Sequence, residues 1–246
     1  MATTTDQSSY IRNHDDQSTS CMELIHNIRS KHIDLNYHNE QYDMQRQQLV
    51  HCKIIQDIMK SKQSKQSSFL KDADTSRQFV CMAGAIGSGK SYVSKSKFPD
   101  INKFVVVNPD PIKELFPEYQ RLIQEMPLEA STILQKEACY VSELLMWKAL
   151  DDGYDILMDG TLKDHIFFTH LFTQIKKLYP SYKIQIIYVV VKDKETIYKR
   201  VAKRAIKTKR HIPRAVIDAS IELCPKSIEI LKHHVHAIET ISNDDY

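Results

Sequence analysis

The sequence predicts an α/β fold: a three-layer α/β/α arrangement with a mostly parallel sheet, preceded by an N-terminal helical segment. Three observations carry this. After Thr75, short apolar runs alternate with longer amphipathic stretches, the rhythm of successive βα units. Those runs are mostly apolar and rich in β-branched residues, as in "IQIIYVVV", so the strands are buried on both faces, as in parallel sheets. Finally, three of the five glycines (Gly84, Gly87 and Gly89) follow the first such run within one short stretch, where a strand must turn tightly into a helix.

Bulk composition fits this reading. A chain of 246 residues has room for one α/β domain and an appendage, and 42% hydrophobic with 26% charged residues is an ordinary globular mix. A net charge of +3 is too small to mark a nucleic-acid or membrane protein. The five cysteines are odd in number and form no C-x-x-C pair, which points to free thiols in a reducing compartment. His233, His234 and His236 cluster without acidic or cysteine neighbours, so they read as a solvated helix end rather than a metal site. "MATTTDQSSY" lacks the cationic start and apolar core of a secretory signal, and no apolar run approaches the roughly 20 residues of a membrane helix. The expectation is a soluble, cytoplasmic protein.

In chain order, residues 1–19 are rich in Thr, Ser, Gln and Asp and read as a disordered tail. Residues 20–75 read as a helical segment and linker. Leu24 and Ile28, then Val50, Ile54 and Ile58, recur at helical spacing, and "SKQSKQSS" over 61–68 reads as polar linker. This segment would cover part of the core or receive a protein partner. Residues 76–246 form the main domain. Its strands are expected at 78–83, 103–108, 154–158, 183–191 and 235–241, and its helices at 90–96, 111–115, 133–151, 165–179, 194–206 and 213–232.

Ligands of parallel α/β sheets bind beyond the carboxyl ends of the strands, so the residues just after each strand carry the chemistry. After the first comes "GAIGSGKSY", in which Gly84–Ser91 matches G-x-x-x-x-G-K-[ST], the Walker A phosphate loop of P-loop NTPases. Gly84, Ala85, Ile86, Gly87, Ser88, Gly89, Lys90, Ser91 and Tyr92 are the expected nucleotide-binding residues. Lys90 would reach the β- and γ-phosphates and the Ser91 hydroxyl would bind Mg²⁺. After the second strand, Asp110 stands between Pro109 and Pro111. Its carboxylate would take a proton from an acceptor hydroxyl or coordinate Mg²⁺, and capping a helix from Pro111 is compatible with either. After the third, "DGTLKD" offers Asp159 as a second Mg²⁺ carboxylate, with Thr161 and Lys163 placed to touch substrate. After the fourth, residues 199–214 hold eight Lys or Arg and no acid. Arg200 and Arg204 share a helix face there and would form a lid over the phosphates. A solvated basic face is the ordinary alternative; an RNA strip lacks interleaved aromatics.

Together these sites resemble the zeta toxin family of P-loop kinases, whose best-studied members phosphorylate UDP-N-acetylglucosamine on the sugar. The likeness covers roughly residues 76 to 235. It rests on the Walker loop, on "NPDPIKELFPEY", on "DGTLKD" and on "RVAKRAIKTKRHIP". The resemblance implies an ATP- or GTP-dependent kinase with Mg²⁺, acting on a nucleotide sugar rather than on nucleic acid. Lys90 is then the phosphate lysine, Asp110 the general base, and Arg200 and Arg204 the lid arginines. Glu137 and Glu143, on the helix before the third strand, fall near acids the family places by the substrate, and Glu137 is the expected substrate contact. The chain departs from the family at Lys163, where relatives often carry arginine. It departs again at Asp218 and Ala219, where they often place another, a role Arg210 or Arg214 would fill. Another hydroxyl acceptor (nucleoside, antibiotic or polynucleotide end) and a non-catalytic nucleotide-binding module are the competing readings.

Overall fold

A computed structural model of the chain describes residues 21–32, 42–66, 76–127, 129–208 and 211–244. The expected tail at 1–19, the end of the linker and Arg210 lie outside the described residues. Five strands, β1 (Arg77–Ala83), β2 (Phe104–Val107), β3 (Asp155–Asp159), β4 (Tyr182–Val190) and β5 (Ala237–Ser242), form one sheet in the order β2-β3-β1-β4-β5. Every pairing is parallel. From β1 the chain crosses towards β2 on one side, and from β4 it runs to β5 on the other. The crevice of this sheet therefore opens at the carboxyl ends of β1 and β4.

The helices are α1 (21–31), α2 (Met44–Arg46), α3 (Lys53–Gln66), α4 (Lys90–Lys97), α5 (Pro109–Glu114), α6 (Tyr119–Glu125), α7 (Ala130–Ile133), α8 (Gln135–Asp151), α9 (His165–Leu178), α10 (Lys194–Thr208) and α11 (Arg214–Leu231). Because side chains alternate along a strand, β1 serves two cores. Phe79, Cys81 and Ala83 pack with α8, α9 and α11 on one face, while Val80 and Met82 meet Val93 of α4 on the other. Among the described residues no helix is long and apolar enough to cross a membrane.

The N-terminal segment is part of the larger core. Cys21, Ile25 and Ile28 of α1, with Cys52, Ile54, Ile55 and Met59, join the cluster that holds Tyr140 and Trp147 of α8. Between α2 and α3 the helix widens into a π-helical stretch, Gln47–Cys52, which turns His51 and Cys52 inward. The expected linker begins later than "SKQSKQSS" suggests, since α3 continues to Gln66. Lys and Gln favour helix, and neither Gly nor Pro interrupts them. The helix expected over 133–151 is broken at Leu134 into α7 and α8, and α6 forms in "YQRLIQE", for which no element was expected.

Candidate active site

The loop between β1 and α4 has the backbone its glycines permit. Gly84, Gly87 and Gly89 take φ of 143°, 86° and 89°. A Cβ at Gly84 would run into the Val189 carbonyl, and one at Gly89 into the Asn243 amide, so side chains are excluded by space as well as by φ. The Ser88 hydroxyl is buried in this loop without a hydrogen-bond partner. The Lys90 ammonium donates to the carbonyls of Gly84 at 2.9 Å and Ala85 at 3.0 Å. Burial pulls its pKa down, against the attraction of Asp159. A cradle open only to backbone, an orphaned hydroxyl and a partly desolvated cation together fit a phosphate chain.

Three distant groups fix the loop. The Ile86 N–H donates to Ser220 Oγ at 3.0 Å, and Asn243 Nδ2 donates to the Ser88 carbonyl at 2.8 Å. Asn243 is itself tied to the end of β4 through the Val190 carbonyl at 2.9 Å. Arg200 donates to the Asn243 carbonyl at 2.9 Å, so it braces the end of β5 against α10.

Asp110 is released from capping duty. The N-cap of α5 is Asn108, whose side chain accepts from the Asp110 N–H at 2.9 Å, and the helix starts at Pro109 rather than Pro111. Asn108 also donates to Asp159 at 3.1 Å, joining the ends of β2 and β3. The Asp110 carboxylate meets Lys113 through Oδ1 at 3.2 Å and Arg204 through Oδ2 at 3.7 Å. Burial raises the pKa of Asp159, and nearby Asp110 adds to this; Lys90, Arg204 and a hydrogen bond from Ser91 oppose it. Thus the structure brings Lys90, Ser91, Asp110, Asp159 and Arg204 together. The Ser91 hydroxyl bonds to the Asp159 carboxylate, which makes this pair the candidate Mg²⁺ ligands, with phosphates supplying other oxygens.

The turn after β3 is held rigidly. Leu162 is buried with a positive φ of 52°, and Cys224 donates its S–H to the Thr161 carbonyl at 2.9 Å. Asp164 caps α9 by accepting from the Phe167 N–H at 3.1 Å. A cavity of about 430 Å³ opens beside this turn, lined by Glu143, Asp164 and Phe167 among others. Gln135, Cys139 and Glu143 lie at i, i+4 and i+8, so one face of α8 runs from the neighbourhood of Asp110 to this cavity.

Glu137 lies elsewhere. Its carboxylate accepts from Arg46 at 2.6 and 3.0 Å and is 2.6 Å from His51 Nε2, under the π-helical stretch. Tyr92 is exposed. Arg214 stacks 3.3 Å over the Tyr198 ring and pairs with Asp218 at 3.5 Å. Sequence reasoning missed Asn108, Lys113, Ser220 and Asn243. Only Asn108, a good capping residue directly before Pro-Asp-Pro, left a readable signal.

The zeta toxin family model matches residues 61–245. No curated protein sequence matches. Among solved structures, a chain of the PezAT chromosomal toxin–antitoxin system of the human pathogen Streptococcus pneumoniae superposes with a TM-score of 0.62 at 17% identity, covering 78% of this chain and 77% of that one. A chain of the AvrRxo1-ORF1:-ORF2 complex with ATP superposes with a TM-score of 0.62 at 14% identity, covering 85% of this chain and 66% of that one. At such identities these structures establish the fold.

Proposed function

The chain belongs to the zeta toxin family, and on that premise we propose that it is a kinase, transferring the γ-phosphoryl group of ATP or GTP to a hydroxyl of a nucleotide sugar such as UDP-N-acetylglucosamine. The observation that carries this is the Asp110 carboxylate, released from capping and set 3.7 Å from Arg204 beyond the strand ends that hold Lys90 and Asp159. Asp110 takes the proton of the acceptor hydroxyl as its oxygen bonds to the γ-phosphorus, and the bond to the β-phosphate oxygen breaks, leaving the nucleoside diphosphate. Lys90 and Arg204 stabilise the charge that develops on the transferring group. Arg200 contributes by holding α10 and Asn243 in place. Mg²⁺, held by Ser91 and Asp159, would neutralise phosphate charge. The acceptor's sugar would lie on the side of Thr161 and Lys163, in the turn that leads to Asp164 and the cavity it lines, with Lys163 offering a point charge instead of an arginine fork. The superposing complex with ATP favours that nucleotide as donor.

Two further readings accompany this. Five free cysteines support a reducing, cytoplasmic compartment. The superposing toxin–antitoxin chain supports a protein partner, for which exposed Met44 and Leu49 on the N-terminal helices are the candidate surface.

The test compares Lys90→Ala with Asp110→Asn. The first should lose nucleotide affinity and turnover together. The second should keep nucleotide binding and lose transfer to UDP-N-acetylglucosamine by at least ~100-fold. Wild-type turnover by Asp110→Asn would remove the base assignment. Labelling of an oligonucleotide end or a nucleoside in place of the nucleotide sugar would move the acceptor. Tight ATP binding with no transfer to any acceptor would leave a nucleotide-binding module.

A further inference from the structure

Lys113 is 2% exposed, yet it carries an ammonium group. Its partners are Asp110 Oδ1 at 3.2 Å and the side-chain oxygen of Gln135, the first residue of α8. Gln135 in turn donates from Nε2 to Cys139 Sγ at 3.0 Å, which fixes the orientation of its amide. An unpaired ammonium in such a place would carry a heavy desolvation penalty, so the two acceptors are what make a lysine rather than a leucine tolerable here. An exposed i,i+3 ion pair contributes little, but here one partner is almost wholly buried and its geometry is set by a second helix.

We propose that Lys113 is the positioning residue for Asp110, one that holds Oδ1 and thereby presents Oδ2 to the acceptor hydroxyl. The inference rests on the kinase reading above. A carboxylate has two oxygens, and a base on a six-residue helix would rotate about χ2 unless one oxygen were held. Lys113 holds that oxygen from below, and Oδ2 turns towards Arg204 and the phosphate side. Lys113 also places a positive charge beside a carboxylate that shares its site with Asp159. Other ionisable groups near Asp110 include Asp159 of β3, Lys90 of α4, Arg204 of α10 and Cys139 of α8. Lys90 donates to the loop carbonyls and Arg204 meets Oδ2 at 3.7 Å, so Lys113 is the cation that holds Oδ1.

The test measures ADP release from ATP with UDP-N-acetylglucosamine present, together with nucleotide affinity by calorimetry. Lys113→Met keeps the side chain's length and apolar body. It should bind ATP within about twofold of wild type and lower kcat by roughly 10- to 100-fold, the range for a misplaced catalytic group. In an Asp110→Asn background the same substitution should cost nothing further, because there is no base left to position. A kcat equal to wild type, or a full additional loss on top of Asp110→Asn, would overturn the proposal. If Lys113→Met does not fold, Gln135→Leu decides, since it keeps the lysine, changes an exposed side chain and removes the second acceptor that sets the ammonium's position. A lower kcat at unchanged ATP affinity supports the role, and an unchanged kcat refutes it. Should Asp110→Asn itself turn over normally, or the wild-type chain release no ADP with the nucleotide sugar, a nucleoside or an oligonucleotide end as acceptor, the kinase reading falls and takes this inference with it. An inactive Asp110→Asn beside a fully active Lys113→Met sinks this inference alone.

Discussion

Replacing Glu137 by alanine tests whether this acid belongs to the N-terminal helices or to the substrate. His51 is wholly buried, and its Nδ1 has no hydrogen-bond partner; its Nε2 is 2.6 Å from Glu137. Glu137→Ala therefore leaves a buried imidazole with neither nitrogen bonded, a desolvation cost of about 1–3 kcal/mol. Arg46 loses bonds of 2.6 and 3.0 Å but keeps Glu118, which it reaches at 2.6 Å, so its share is smaller, about 1 kcal/mol. The expected loss is about 2–4 kcal/mol, and at about 2–4 °C per kcal/mol for a chain of this size, Tm should drop by roughly 5–15 °C. Burial pulls the Glu137 pKa up, but hydrogen bonds from His51 and Arg46 prevail and hold it below its ordinary value of 4.5. A depressed carboxyl stabilises the fold above its unfolded pKa and stops doing so as pH falls through the folded one. The difference in Tm between wild type and Glu137→Ala should thus be full at neutral pH and shrink once pH drops below 4.5. Thermal melts followed by circular dichroism read both effects. A Tm within about 2 °C of wild type, with a raised KM for the acceptor, would refute the structural assignment and put Glu137 at the substrate.

Three further perturbations separate the loop from its supports. Gly89→Ala forces a side chain into φ of +89° against the Asn243 amide, and calorimetry should find ATP affinity weakened by at least ~10-fold; a loss below twofold would contradict the geometry. Asn243→Ala removes one donor to the Ser88 carbonyl, worth about 1 kcal/mol, so ATP affinity should fall about fivefold and Tm by only about 2–4 °C; unaltered affinity would show that β5 does not brace the loop. Cys21, Cys52, Cys81 and Cys224 are buried and Cys139 is partly exposed, so an aromatic disulfide reagent should modify one thiol in the native chain and all five only after denaturation. Fast native modification of more than one would show that α1 or α11 opens readily.

What the sequence made legible follows from distance along the chain. The Walker loop could be read because its chemistry is local: three glycines, a lysine and a serine act within eight positions of one another. Strands were readable for a similar reason, since burial on both faces writes itself as a continuous apolar run. Partnerships across the fold left no such trace. Asn243 is 155 residues from the loop it supports, and Arg46 is 91 from Glu137; each looks in sequence like an ordinary polar residue near a segment's end. Arg200 and Arg204 could not be told apart by spacing, because one helical turn separates them on the same face. What divides them is position relative to the sheet: Arg200 reaches the end of β5, and Arg204, a turn further on, reaches Asp110. Lys113 shows the limit most clearly. In "DPIKELF" it reads as the solvated lysine of a short amphipathic helix, and only the packing of α5 on α8 makes it a buried cation. A lysine is tolerated there because Asp110 and Gln135 both accept from it. The same pairing that makes its burial affordable ties the candidate base to the scaffold, so the stability of α5 and the orientation of Asp110 depend on one side chain.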